Sequence, residues 1–281
     1  MCDGACLSDV VLLQRAVGDL RVGVKRLGTE TVLDDLRQAG CLKARFPRRV
    51  VPGWMDIVML NTGGGVAGGD RLDVEVAVGA GARATIAAQA AERFYRARVG
   101  EVASHVRTTL TVGPGAAMEW LPQETILFNQ SALDRRLEVE LAGDAGFLGV
   151  ETIVFGRAAM GERVGQGRLR DLIRVRRGGE LLLHDAIRID GDIDATLRHA
   201  ATGAGARVVA TIVYVGADTA EKLVALRLLP SVVVGEGAFS AWNGMLVARI
   251  LGPDSAAVRR CVIAALAILR EDRPLPRVWL C

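Results

Sequence analysis

Five carboxylates stand where a charge needs explaining. Asp70 follows a glycine run, and Glu92 sits in Gln89-Ala90-Ala91-Glu92-Arg93. Glu124 ends Leu121-Pro122-Gln123-Glu124, Glu151 precedes Thr152-Ile153-Val154-Phe155, and Glu162 ends Ala159-Met160-Gly161-Glu162. A carboxylate among apolar residues must be paired or solvated. One chemistry is structural: Arg71, Arg93, Arg157 and Arg163 are near enough in sequence to supply ion pairs that pin β-layers together. The other is transport, with isolated acids lining a wet passage for a divalent cation. Such oxygens hold a metal loosely, whereas a His/Cys cluster would trap it.

Other chemistry is thinner. In Asn61-Thr62-Gly63-Gly64-Gly65-Val66-Ala67-Gly68-Gly69-Asp70, residues Gly63, Gly65 and Gly68 satisfy G-x-G-x-x-G. A dinucleotide site needs a helix directly afterwards, because the helix N-terminal amides meet the pyrophosphate. A period-two strand pattern follows instead, and no Lys-Ser/Thr pair closes a P-loop. What remains is a loop whose backbone passes close to another surface, flanked by polar Asn61, Thr62 and Asp70. His105, His184 and His199 lack metal-ligand spacing, and G-x-S-x-G, H-E-x-x-H and C-x-x-C do not occur. No catalytic constellation is assembled in the sequence.

Strands must position these groups. Leu72, Val74, Val76 and Val78 alternate with Arg71, Asp73, Glu75 and Ala77, the period of a half-buried strand. Segments 106–112, 137–141 and 169–175 are similar, and Arg177-Gly178-Gly179-Glu180 predicts a turn into a further strand over 181–189. Three segments fit V-G-x-G-A: residues 78–82, 112–116 and 234–238, with a partial copy at 203–206. Glycine supplies the positive φ of a tight corner, so these copies predict repeated strand–corner–strand units that stack. A second echo pairs Glu124-Thr125-Ile126-Leu127-Phe128 with Glu151-Thr152-Ile153-Val154-Phe155.

Helix signals come late. Asp218-Thr219-Ala220-Glu221 has the form of a capping box, and Pro230 closes that segment. Pro253-Asp254-Ser255 opens a second helix, apolar nearly all round over residues 261–269, which requires cover on more than one side. No linker or charge break divides the chain. The expected fold is mainly β: stacked or coiled β-layers in one domain spanning residues 1–281, with two C-terminal helices and a disordered tail over 1–10.

Composition sets the class. A net charge of +3 with scattered arginines gives no nucleic-acid face. The pair Arg135-Arg136 and the group Arg174, Arg176 and Arg177 are expected on solvated strand edges. Five cysteines without regular spacing argue against a disulfide framework and for a reducing compartment. With no signal-peptide pattern and no apolar run near the ~20 residues a membrane span needs, the expected location is cytoplasmic.

Seven segments, in order, carry a resemblance. They are Lys43-Ala44-Arg45-Phe46-Pro47; the glycine run with Arg71-Leu72; Gln89-Ala90-Ala91-Glu92-Arg93-Phe94-Tyr95-Arg96; and Trp120 to Phe128. Then come Phe155-Gly156-Arg157-Ala158-Ala159-Met160-Gly161-Glu162, Ala241-Trp242-Asn243-Gly244-Met245-Leu246 and Arg273-Pro274-Leu275-Pro276-Arg277-Val278-Trp279. Together they resemble the UreD (UreH) family of urease accessory proteins. The chain departs from the family's pattern at Ala87 and Ala88, where Thr is common, and at Asn129, where Asp is frequent.

The resemblance implies a mainly β, non-catalytic scaffold that binds UreF and, with it, the GTPase UreG and apo-urease. It further implies that nickel crosses the protein in transit, with no tightly bound cofactor. Asp70, Glu92, Glu124, Glu151 and Glu162 are then the candidate transient nickel ligands. Two other readings stay open on the sequence alone: a nucleotide-dependent oxidoreductase, which needs a helix after Gly69, and a β-rich binding module without a metal role.

Overall fold

The computed structural model describes residues 14–98, 100–157, 160–230 and 236–280, so the tail expected over residues 1–10 lies outside the described residues. In chain order the strands are β1 (Val17–Leu27), β2 (Glu30–Gly40), β3 (Leu42–Arg45), β4 (Trp54–Asn61), β5 (Arg71–Val78) and β6 (Arg83–Ala88). They continue as β7 (Glu92–Phe94), β8 (Ser104–Val112), β9 (Ala117–Leu121), β10 (Thr125–Leu127), β11 (Ala132–Leu141) and β12 (Gly146–Phe155). Last come β13 (Gly167–Arg177), β14 (Glu180–Gly191), β15 (Val208–Val215), β16 (Glu236–Trp242) and β17 (Met245–Gly252). The helices are α1 (Ile193–Arg198), α2 (Thr219–Arg227) and α3 (Ser255–Leu269).

Two sheets result. The first has the order β14-β13-β11-β8-β5-β1-β2, and the second β16-β17-β15-β12-β9-β6-β4-β3, with β10 between β12 and β7. Strands β1, β5, β8, β11 and β13 are mutually parallel, as are β4, β6, β9 and β12. Parallel neighbours cannot be joined by a hairpin and need a crossover. Here each crossover runs through the opposite sheet, so the chain winds as a flattened coil. Arg71 pairs with His105 and Arg83 with Ala117, both 34 residues on, which is the spacing of the first two V-G-x-G-A copies.

Those two copies are the corners that carry the chain from one sheet to the other, with Gly81 at φ 66° and Gly115 at φ 61°. Corner amides extend the first sheet's ladder: Gly79 N–H donates to Val24 O, Gly113 to Val78 O and Ala142 to Val112 O. The third copy differs. Its Val234 and Gly235 lie outside the described residues, and Glu236, Gly237 and Ala238 open β16 instead of turning a corner. The second echo pairs β10 with β12 one residue out of step, Thr125 opposite Ile153.

The period-two strands appear as expected. In β5, Leu72, Val74, Val76 and Val78 are buried while Arg71, Glu75 and Ala77 are exposed. These inward residues meet Ala84, Ile86, Met118 and Phe147 of the second sheet in one core. The strand β5 also stands where a dinucleotide site requires a helix, which removes the structural premise of the oxidoreductase reading.

The outer face of β12, β15 and β17 is covered by α2 and α3. On α3, Val258, Cys261, Val262, Ala265, Leu266 and Leu269 are buried, while Ile263, Ala264, Ala267 and Ile268 remain half-buried. Asp254 caps this helix, its Oδ1 accepting from Ala257 N–H at 2.8 Å. Asp254→Ala is expected to cost ~1 kcal/mol in a urea-unfolding titration, the usual worth of an N-cap. An unchanged midpoint would show the cap to be dispensable. The capping box at α2 is not formed; Asp218 instead accepts from the Tyr214 hydroxyl at 2.5 Å. Among the described residues no helix is long and apolar enough to cross a membrane.

Candidate functional site

A cavity of about 350 Å³ lies between the two sheets, where β6 and β9 end and the chain bends into β7 and β10. The first sheet contributes Val74, Thr108 and Arg135, and the second Met59, Trp120 and Glu151. Gly64 and Gly65 of the glycine run form part of its wall. There the backbone passes close to another surface: Val66 N–H donates to Arg93 O, and the Tyr95 hydroxyl donates to Gly64 O at 2.8 Å.

Arg135 and Glu151 on the cavity wall belong to a buried charge network with Asp171 behind them. Arg135, Glu151 and Asp171 are 7%, 8% and 6% exposed. Asp171 takes a two-pronged bond from Arg135, from Nε at 2.7 Å and Nη2 at 2.8 Å. The remaining Nη1 donates to Glu151 Oε2 at 2.6 Å and to Thr125 Oγ1 at 2.8 Å. Trp120 Nε1–H donates to the other Glu151 oxygen at 2.8 Å. Arg135 and Asp171 are register partners on β11 and β13, whereas Glu151 comes from β12 in the facing sheet. The network therefore ties the layers together through the core.

Arg135 overturns the expectation of a solvated strand edge. Along β11 from Leu133 onward the buried positions are Leu133, Arg135, Leu137, Val139 and Leu141, and the neighbour Arg136 is exposed. The strand's alternation sends one arginine of the pair inward and the other out. A guanidinium there is tolerable because two carboxylates and a hydroxyl meet it.

Burial shapes the ionisation of these groups. It pushes the Glu151 carboxyl above its ordinary range, opposed by Arg135 and reinforced by the Asp171 charge. Burial works against the Arg135 cation, but Asp171 and Glu151 outweigh it and push its pKa up. Glu92, also on the cavity wall, is likewise raised by burial, while the bond from Asn61 Nδ2 at 3.1 Å pulls the other way.

The five acids singled out by sequence thus separate. Glu92 and Glu151 share the cavity. Glu124 lies at its edge, between the lining residues Gln123 and Thr125, and accepts from Arg259 Nη1 at 2.8 Å. Asp70 is buried and accepts from Ala16 N–H at 2.8 Å and Ala67 N–H at 2.7 Å, fixing the end of the glycine loop. Glu162 accepts from Arg157 Nε at 2.7 Å and from the amides of Asn129 and Arg157. Of the neighbouring arginines, Arg157 forms such a pair, while Arg163 pairs with Asp194. Among the described residues no three His, Cys, Asp or Glu side chains form a ready metal-binding group. The cavity offers scattered acceptor oxygens, the buried cation Arg135 and the exposed Arg93 at its wall, an arrangement that can stabilise a hydrated cation without enclosing it.

Sequence reasoning missed Arg135 and Asp171. It also missed Glu119 on β9, whose carboxylate meets Arg270 and Arg273 beyond the end of α3.

The chain matches the family model described as UreD urease accessory protein over residues 16–280. It is 44% identical over 266 residues to the urease accessory protein UreD of Azorhizobium caulinodans, covering 95% of this chain and 97% of that protein. It is 45% identical over 270 residues to the UreD of Dinoroseobacter shibae, covering 95% and 93%. To urease accessory protein UreD 3 of a Bradyrhizobium species it is 41% identical over 279 residues, covering 97% and 96%.

Proposed function

Because the chain belongs to the UreD urease accessory protein family, we propose that it is a non-catalytic scaffold and conduit which, with UreF and the GTPase UreG, passes nickel to apo-urease in the cytoplasm. The observation that carries this reading is the cavity between the sheets, with Glu92 and Glu151 on its wall. A hydrated dication cannot cross a dry apolar interior, and this is where the core is opened and furnished with acceptors. Release demands weak holding, and among the described lining residues the cavity presents oxygen ligands without a His or Cys partner. UreF is assigned the apolar surface formed by the half-buried outer face of α3, by Val224 of α2 and by Leu228 just after that helix, the last two exposed. Apolar patches of this kind mark partner sites.

The test is the double variant Glu92→Gln with Glu151→Gln, co-expressed with urease and its accessory proteins. Glutamine keeps the shape, and Arg135 retains its two bonds to Asp171, so no buried charge is stranded. Pulldown of apo-urease is expected to remain intact. Nickel per urease active site is expected to fall about tenfold, equivalent to ~1.4 kcal/mol of lost cation stabilisation. Intact pulldown with full nickel loading removes the conduit role from these two acids. Lost pulldown would instead make them structural.

A further inference from the structure

We infer that Arg135 is the resident counter-cation of the cavity: it positions Glu151 and keeps the hold on a passing divalent cation weak enough for release. The inference rests on the conduit reading and concerns how that conduit avoids becoming a trap. One guanidinium faces two carboxylates, leaving the network with one more negative than positive charge. A dication is drawn by that surplus but must compete with the guanidinium for Glu151.

The bonding is asymmetric in a way that makes the competition reversible. Asp171 is locked in the two-pronged bond and does not line the cavity, whereas Glu151 does. Glu151 holds Arg135 through Nη1 alone, at 2.6 Å, and that same nitrogen also donates to Thr125 Oγ1 at 2.8 Å. When Glu151 turns toward an arriving cation, Arg135 keeps its fork on Asp171 and its bond to Thr125. No buried charge loses every partner, so the exchange avoids the large penalty of a stranded ion. When the cation moves on, the guanidinium is still in place to recapture Glu151. The arginine is thus a positioning residue that acts on the metal through Glu151.

Nickel binding by the tag-free, full-length chain tests this, read by equilibrium dialysis against Ni²⁺. Arg135→Gln removes the competitor and is expected to bind Ni²⁺ at least ~10-fold more tightly than wild type, since a full opposing charge is lost. Added Ni²⁺ is also expected to raise the melting temperature of this variant more than that of wild type. Asp171→Asn leaves Arg135 with Glu151 as its only charged partner in the network and is expected to weaken binding about fivefold. A purely structural role predicts no gain in affinity from losing the arginine.

The inference is overturned if folded Arg135→Gln binds no more tightly than wild type, or if Asp171→Asn binds as well as or better than wild type. Should Arg135→Gln fail to fold, the Asp171→Asn result decides alone. The two readings fail separately. Full nickel loading of urease by the Glu92/Glu151 double variant removes the conduit, whereas unchanged affinities in these two variants remove only the role of Arg135.

Discussion

Replacing Glu119 by alanine is expected to destabilise the protein by ~3–5 kcal/mol, the cost of breaking a buried ion pair from one side. Glu119 and Arg270 are each 2% exposed. The carboxylate accepts from Arg270 Nε at 3.1 Å and from Thr85 Oγ1 at 2.7 Å, and it forms an ion pair with Arg273 Nη2 at 2.7 Å. Arg270 closes α3, and Arg273 lies over the Trp54 ring at 4.0 Å. One carboxylate on β9 therefore anchors both the end of the last helix and the C-terminal segment to the second sheet. Removing it leaves the buried Arg270 guanidinium without its hydrogen-bonded carboxylate. Urea unfolding should show the loss as a lower midpoint with an unchanged slope. Glu119→Ala with Arg270→Met should recover part of it, because the orphaned charge is gone. A double variant less stable than the single one would contradict this account.

Gly65→Ala is expected to cost ~2–4 kcal/mol, from forced backbone strain together with overpacking. Gly65 has φ 139°, a conformation that L side chains rarely adopt, and an added Cβ would stand 2.9 Å from Arg93 O and 2.4 Å from Tyr95 Cε2. Neither neighbour yields readily. Arg93 O accepts from Val66 N–H, while Tyr95 is held by its bond to Gly64 O and by an edge contact with Phe128 at 5.2 Å. Gly64→Ala is the internal control. It has φ 75° with nothing within 4 Å of an added methyl, so only the conformational cost of ~1–2 kcal/mol applies. Equal losses in the two variants would rule out the steric part of the argument.

Much of this architecture could be read in advance because its signals are local. Alternation gave the strands, and two V-G-x-G-A copies gave the corners and the length of a rung. The charge network was partly legible as well. Arg135 falls in phase with Leu133, Leu137, Val139 and Leu141, and Asp171 in phase with Leu169, Ile173 and Val175. A charge in an apolar phase is the mark of a buried network, and the adjacent Arg136 obscured it by making the pair look solvated. That Glu151 completes the network could not be read, since its contact with Arg135 crosses between sheets. Asp70 and Glu162 also accept backbone amides, and the direction of an N–H has no signature in residue type. The six residues of α1 are too few for a helical period to show.

The two ends of the first sheet govern how large the molecule can grow. A coil of parallel rungs has no inherent length, since each rung offers the next the same template. Unpaired strand edges are also open invitations to another chain. Here β2 and β14 fold back as hairpins on β1 and β13 and run antiparallel to every rung between them. A rung from a second copy would therefore meet a strand of reversed polarity, and the screw repeat that propagates the coil would be broken. On β14 it would also face a row alternating between half-buried and exposed positions, with Arg188 and Asp190 among the exposed ones. Polymerisation in register is blocked at both ends by the direction of the backbone, so the chain terminates its own coil instead of seeding a fibre.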